Sequence, residues 1–448
     1  MKKALTIAGT DSGGGAGVLA DIKTFASFGV HGMAAITSVT AQNTLEVRAI
    51  NDLPPNIVEQ QIKAVADDIG VDAAKTGMLS NAEIIKSVAG VVKKYGFPLV
   101  VDPVMIAKSG AILLKEDAIE TLIKYLIPNA NLITPNRMEA EKLSNMEIKS
   151  IDDAIKSAEK ISSYGIEYVL IKGGHLKENE AIDILYHNGE IKKYSKPWYH
   201  GCTHGTGCSY SAAITANLAK GYEMEKAIEI AKEFITMGIK YGIKIGKGHC
   251  PVNQNAYIYI PAERWNAYIS LKRAVASLLL YPELYRYIPE VGMNFAYSLP
   301  KEYSFDARDV VAIEGRIVKA GKKARVGEIK FGGSQHLAKA IFKAMEFNES
   351  IRSVMNMRYD KKIIKKAEEN LIVSFYDRNE EPKDIKEKEG ETIPWGIENA
   401  IKKAKKMPDV IYHEGDIGKE PMILIFGKEP AEVLKKFGIL TVKYFNTK

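Results

Sequence analysis

The chain has 448 residues, of which 46% are hydrophobic and 26% charged, and a formal charge of +7. That length exceeds one ordinary core and predicts two domains or three, and the composition is that of a globular protein rather than a disordered one. No apolar run approaches the roughly 20 residues of a membrane span, and no basic run is interleaved with aromatics as single-strand nucleic-acid binding needs.

The start MKKALTIAG enters a glycine-rich turn too soon for a signal peptide. Cys202, Cys208 and Cys250 form neither a CxxC pair nor a zinc spacing, which fits a reducing compartment. A cytoplasmic protein is expected, acting on small phosphorylated molecules as a homo-oligomer, with no nucleic-acid or membrane partner.

In chain order, the first predicted strand is Ala4 to Ala8. Gly9-Thr10-Asp11-Ser12-Gly13-Gly14-Gly15-Ala16-Gly17 follows it, then a helical pattern from Val18 to Phe28. The turn lacks the Gly-Lys-Ser/Thr ending of a P-loop and is not GxGxxG. Similar units recur: Ala34 to Thr40 before Gln42, Ala73 to Lys75 before Met78, Leu99 to Val101 before Asp102, Leu132 to Thr134 before Asn136, and Tyr168 to Ile171 before Lys172. Apolar runs alternating with amphipathic helices predict a mostly parallel sheet covered on both faces. Ligands bind at the carboxyl ends of such strands, where all these polar residues fall. His187-Asn188-Gly189-Glu190 reads as a hairpin turn.

Two acids stand out. Asp102 and Glu139 at strand ends suit magnesium, which takes one or two carboxylates with water and substrate oxygens. Glu139 also suits a plain helix start, and Asp102 before Pro103 suits a turn. Lys172 is placed either to reach nucleotide phosphates or to cap the sheet edge.

The segment 201–211, GCTHGTGCSYS, opens onto a small-residue helix. Gly205 and Gly207 let successive N–H groups converge at a helix N-terminus, a place that favours an anion. Cys208 lies in that field, which predicts a lowered thiol pKa and a thiolate available near neutral pH. Such a thiolate would take a proton from an attacking hydroxyl. The alternative is a glycine turn with an inert buried cysteine.

With these motifs in order, residues 1 to about 257 resemble the hydroxymethylpyrimidine/phosphomethylpyrimidine kinases, ribokinase-like enzymes of thiamine biosynthesis. The matching stretches are AGTDSGGGAGVLADIKTF, TAQNT, KTGML, VDPVM, LITPNRMEAE, IKGGH and HGTGCSYSAAI. The resemblance implies a three-layer α/β/α domain, ATP and Mg2+, and Cys208 as the base. It places Gly205, Thr206 and Gly207 in an anion hole, Asp102 and Glu139 at magnesium, and Lys172 at the ATP phosphates. Gly9, Asp21, Gln42 and Met78 would line the pyrimidine pocket. A pyridoxal-type kinase is the other reading of this half.

A boundary is expected after the glycine and proline stretch 246–253, with 256–261 a connector and a second domain from Ala262 to Lys448. Helical periodicity runs from Glu263 to Ile288 with a break at Pro282. Strands are predicted at Val310 to Ile313, Leu371 to Phe375, Val410 to Tyr412 and Met422 to Phe426, and helices at Leu337 to Met345 and Ile397 to Lys406. The polar stretch 379–391 reads as a loop or lid. Gly332-Gly333-Ser334 before His336 forms a second anion cradle, and Arg316 and Arg358 suit bidentate phosphate binding. On spacing alone the alternative is that the arginines pair with surface acids and His336 merely caps its helix.

This half is similar to the ThiN-type thiamine-phosphate synthases found behind the kinase in many archaea. The similarity implies a three-layer α/β/α sandwich with a mixed sheet, like class II aldolases. It implies that His336 and Arg316 act on the diphosphate substrate, with Asn356, Arg358 and Asp377 as further substrate-binding candidates. The implied reaction joins hydroxymethylpyrimidine diphosphate to hydroxyethylthiazole phosphate. The rival reading is a non-catalytic thiamine-phosphate sensor, as in repressors that carry such a domain, although no helix-turn-helix precedes Ala262.

Overall fold

The computed structural model describes residues 1–441 apart from 107–109, 111–112, 115, 174–179, 243, 387–389 and 417. Gly174 and His175 of the IKGGH stretch and part of the expected 379–391 lid therefore lie outside the described residues. The chain divides into two compact units, Met1–Tyr259 and Ile260–Lys448.

The strands of the first unit are β1 (Lys3–Ala8), β2 (His31–Ile36), β3 (Ser38–Gln42), β4 (Val47–Asp52), β5 (Ala73–Thr76), β6 (Leu99–Val101), β7 (Leu132–Ile133), β8 (Tyr168–Ile171), β9 (Glu180–His187) and β10 (Glu190–Pro197). Eight of them form one sheet in the order β10-β9-β8-β7-β6-β5-β1-β2. The pairs from β2 to β8 are parallel, and β8-β9-β10 is antiparallel.

Side-chain alternation feeds two cores. Leu5, Ile7, Leu99 and Val101 pack with the helices Pro55–Asp68, Ala82–Tyr95 and Ile151–Ser162. Ala4 and Val100 face the other way, toward Gly17–Ser27, Thr206–Ala219 and Met224–Lys240. This is the ribokinase-like α/β/α layering. Asn188 and Gly189 turn β9 into β10 with φ of 48° and 88°, as a tight hairpin requires.

The predicted strand Ala34 to Thr40 is divided in two. Thr37 interrupts it, donating to Ala8 O and accepting from Leu53 N. Beyond it Ser38 to Gln42 alternate buried and exposed, and pair with β4 in a separate ribbon. Cys202 and Cys250 are joined in a disulfide, which the reducing-compartment reading did not anticipate. His204 explains the meeting: its N–H donates to Cys250 O, and its carbonyl accepts from Val252 N.

In the second unit β11 (Phe295–Ser298), β12 (Val310–Ile313), β13 (Ile317–Ala320), β14 (Lys323–Val326), β15 (Ile329–Phe331), β16 (Ser353–Arg358), β17 (Val373–Phe375), β18 (Val410–His413) and β19 (Met422–Gly427) follow one another. The main sheet runs β15-β12-β11-β16-β19-β18-β17, with β13 and β14 a separate ribbon. Only β17 and β18 pair in parallel among its described strands, so the sheet is mixed. One face packs on residues 267–279 of the helix Ala256–Leu279, Lys361–Asn370 and Pro430–Thr441, the other on Gln335–Phe347 and Thr392–Ala404. Residues 256–261 are the first turns of the helix Ala256–Leu279. Within 379–391 the described residues include a short helix, Lys383–Lys386.

Candidate functional site

The first unit has a cleft of about 860 Å³ at the carboxyl ends of β1, β5, β6 and β8. The wall brings together Gly9, Gln42, Met78, Asp102, Glu139, Lys172 and Gly205 to Cys208, residues from every part of the domain. A parallel sheet places the ends of its strands side by side, so the polar residues that follow each strand converge.

Gly205 caps the helix Thr206–Ala219 at φ 76°, and a Cβ there would lie 1.8 Å from Gly15 O. No other residue fits. A Cβ on Gly207 would come within 3.2 Å of Lys172 Nζ, so glycine leaves the first-turn amides open toward the lysine. Thr206 Oγ1 donates to Thr203 O at 2.7 Å and so braces the loop.

Behind the loop, Lys172 Nζ lies 2.8 Å from Asp102 Oδ1, and Ser211 Oγ lies 3.2 Å from Asp102 Oδ2. Burial opposes the charge on Asp102, but Lys172 and Lys75 outweigh it and hold the carboxyl below its ordinary range. Burial likewise opposes the Lys172 ammonium, and Asp102 and Glu139 hold it above its range. Glu139 is pushed up to about 7 by burial, against the pull of Lys172. Its carboxylate also accepts from Asn136 N at 2.8 Å in a capping box, as a helix start requires.

Two expectations change. Burial pushes the Cys208 thiol up to about 12, against the pull of Lys75. The residue is half-buried, but protein packs closely round its thiol. Removing water from a thiolate costs more than the charges around it recover, so the thiol keeps its proton at neutral pH. Asp21 does not reach the cleft wall; it is fully buried, accepting from Thr6 Oγ1 at 2.6 Å and from Lys75 Nζ at 3.0 Å.

Sequence reasoning passed over Lys75, Asp11 and His204. The signal for Lys75 was a cation inside the apolar strand AAKT, whose neighbours are all buried. His204 Nε2 meets Asp11 Oδ2 at 2.8 Å. Burial opposes the Asp11 charge, yet His204 holds its carboxyl below the usual range. Asp183, also in the wall, gathers Lys232 at 2.7 Å and the Tyr210 hydroxyl at 2.9 Å.

In the second unit the singled-out residues share one end of the sheet. In register, Arg358 of β16 stands opposite Met422, which stands opposite His413 of β18. Asp377 follows the parallel β17. The turn before the helix Gln335–Phe347 lies against the end of β12, where a Cβ on Gly333 would sit 2.6 Å from Ala312 O. His336 is exposed in that helix's first turn, with Ser334 accepting from Leu337 N. Arg316 sits at φ 64° and donates to Val291 O. Arg358 is exposed. Asn356 is buried and committed to backbone: its Oδ1 accepts from Asn294 N at 2.6 Å and its Nδ2 donates to Gly292 O at 3.1 Å. Asp377 caps the turn Arg378–Glu380.

The phosphomethylpyrimidine kinase family matches residues 11–253, and the thiamine-phosphate synthase ThiN family matches residues 270–438. The bifunctional thiamine biosynthesis protein ThiDN of Methanocaldococcus jannaschii is 36% identical over 445 residues, 99% of either chain. The chain belongs to the ThiDN family. It combines a kinase domain and a synthase domain of thiamine biosynthesis. The kinase half of this ThiDN member is 49% identical to the hydroxymethylpyrimidine/phosphomethylpyrimidine kinase of Bacillus subtilis, over 57% of this chain and 95% of that one. It is also similar to the pyridoxal kinase of B. subtilis solved with ADP, with a TM-score of 0.54 and 41% identity over 57% of this chain and 98% of that one. Among the described residues no helix is long and apolar enough to cross a membrane.

Proposed function

We propose that the first unit uses ATP to phosphorylate hydroxymethylpyrimidine to its monophosphate and then its diphosphate. The second unit then couples the diphosphate with hydroxyethylthiazole phosphate. The observation that carries the kinase reading is the convergence of Lys172, Asp102 and the glycine-bounded amides of 205–207 on one cleft beside Cys208. Charge-assisted donors aimed at one place are what phosphoryl transfer requires, because its catalysis is mostly positioning and electrostatics.

In each transfer a substrate oxygen bonds to the γ-phosphorus of ATP and the bond to the ADP oxygen breaks. The amides of 205–207 and Lys172 hold the charge on the moving phosphoryl group. Gln42 offers a donor and an acceptor to the aminopyrimidine edge, beside Gly9 and Met78. The alcohol must also lose a proton, which Cys208 takes in its minor thiolate form. The monophosphate is already anionic and needs no base.

Asp102 and Glu139 fit a divalent cation. They are two buried carboxylates with one shared ammonium, and the burial that brings Glu139 to about 7 is a cost that added positive charge would offset. Among the described residues no group of three or more metal-ligating side chains occurs. Magnesium bound by one or two carboxylates suits this; when present it would neutralise phosphate charge.

For the second unit, Arg316 and His336 at one sheet end support binding of the departing pyrophosphate. Positioning outweighs base catalysis there, since the attacking thiazole nitrogen already carries a lone pair. The test is thiamine phosphate formation by the purified chain from hydroxymethylpyrimidine, ATP, magnesium and hydroxyethylthiazole phosphate. Accumulated diphosphate without thiamine phosphate would leave the kinase and make the second unit a sensor. Phosphorylation of pyridoxal in preference to the pyrimidine would move the first unit to the pyridoxal kinases.

A further inference from the structure

Two glycine-rich segments of the first unit, 9–17 and 204–207, both line the cleft and interlock through one side-chain hydrogen bond. Asp11 is a hub, with Oδ1 accepting from Gly13 N at 2.9 Å and Oδ2 accepting from Gly15 N at 3.2 Å and Ala16 N at 2.9 Å. His204 Nε2 completes it at 2.8 Å, and its side chain is nearly buried. The main chain of His204 is held as well, by Cys250 O on one side and Val252 N on the other. The fit is close: a Cβ on Gly15 would lie 2.4 Å from His204 Cδ2.

The hub continues to the pyrimidine side of the cleft. Ser12 Oγ donates to Gln42 O at 2.6 Å and accepts from Gln42 N at 2.8 Å, and Thr10 Oγ1 accepts from Thr40 N at 2.9 Å. A single run of hydrogen bonds and chain therefore joins Gln42, through Ser12, Asp11 and His204, to the amides of 205–207.

We infer that His204 is a positioning residue for phosphoryl transfer, clamped by Asp11 so that the 205–207 amides are registered against the segment that holds the pyrimidine. It acts through the loop rather than on reacting atoms. The inference rests on the kinase reading of this cleft. Misplacing donors by a fraction of an ångström costs rate rather than ground-state binding, and both transfers use the same amides.

The test uses the full chain, with H204A and H204Q, the latter returning a donor near the position of Nε2. In H204A the kcat for alcohol and for monophosphate should fall tenfold or more in equal proportion, with the KM for pyrimidine changed less than threefold. H204Q should stay within threefold of the unaltered chain. Iodoacetamide labelling of Cys208, the free cysteine of the three, reads the loop without substrate; it should change at least fivefold in H204A and less than twofold in H204Q.

The inference is overturned if H204A keeps its kcat and labelling rate within those limits, or if H204Q loses as much as H204A. An unaltered chain that phosphorylates no pyrimidine would remove the kinase reading, while the labelling still decides whether His204 holds the loop. Should H204A not fold, H204Q compared with H204N decides: an active Gln and a tenfold weaker Asn support the clamp, and equal behaviour overturns it.

Discussion

Lys75 and Asp21 form an ion pair at 3.0 Å with neither side chain exposed, and Lys75 also reaches the carbonyl oxygen of Cys208 at 3.5 Å. Burial works against the Lys75 ammonium, but Asp21 and Asp102 hold it above its ordinary range, while burial pushes the Asp21 carboxyl up. Removing one partner of such a pair leaves a buried charge uncompensated, at a cost of about 3–5 kcal/mol. Lys75→Ala should lower the kinase-unit transition in calorimetry of the full chain and leave the other transition in place. An unshifted transition would contradict the charged pair.

With a pKa of about 12 for Cys208, the thiolate at pH 7 is on the order of one molecule in 10⁵. Its share grows tenfold with each pH unit below that value. The rate of the first transfer at saturating alcohol is therefore expected to rise between pH 7 and 9, and the second to rise much less. Flat profiles for both would remove Cys208 as the base.

Cys208→Ala should cost the alcohol step about a hundredfold or more, within the usual range for a general base, and the monophosphate step less than tenfold. Rates measured separately with the two acceptors check this. Equal losses would mean that the side chain shapes the loop and takes no proton.

Glu139 gives a pH signature in stability. Its pKa in the fold, about 7, lies above its ordinary 4.5, so its contribution is complete below pH 4.5 and is lost as pH rises through 7. The amount is about 3 kcal/mol, from roughly 1.4 kcal/mol per unit. Without metal, Glu139→Gln should flatten this decline in kinase-unit stability while keeping the helix cap. A decline as steep as that of the unaltered chain would assign it to other groups.

In the synthase unit, Arg316→Ala and His336→Ala are each expected to slow thiamine phosphate formation by about a hundredfold, the scale of one lost charge-stabilising donor. Asn356→Ala should act differently, costing about 1–3 kcal/mol of stability through unpaired backbone groups. Full synthase activity in His336→Ala with a loss in Arg316→Ala would withdraw the role of His336.

Much of the kinase cleft was legible in the sequence because each strand is an apolar run ended by a polar residue. A parallel sheet brings such ends together whatever lies between them, so Asp102 and Lys172 could be placed on one wall from local pattern, whereas Gly205 and Cys208, which open a helix and end no strand, were placed beside them by the family resemblance. The hairpin at Asn188-Gly189 was equally local. The mixed sheet of the second unit was less legible: β11 and β16 were not predicted as strands, and Asn356 reads as a ligand group until its backbone partners are known.

The sequence by itself determined the strand ends, the glycine turns and the chemistry available at them, since these depend on neighbours a few residues away. Only the tertiary structure decided which charges meet. Lys75 and Asp21 are 54 residues apart, Lys172 and Asp102 are 70 apart, and His204 and Asp11 are 193 apart. It also decided the protonation of Cys208 and the withdrawal of Asp21 from the cleft. Both follow from how much water and which charges distant segments leave around a group, and burial is a property of the assembled fold.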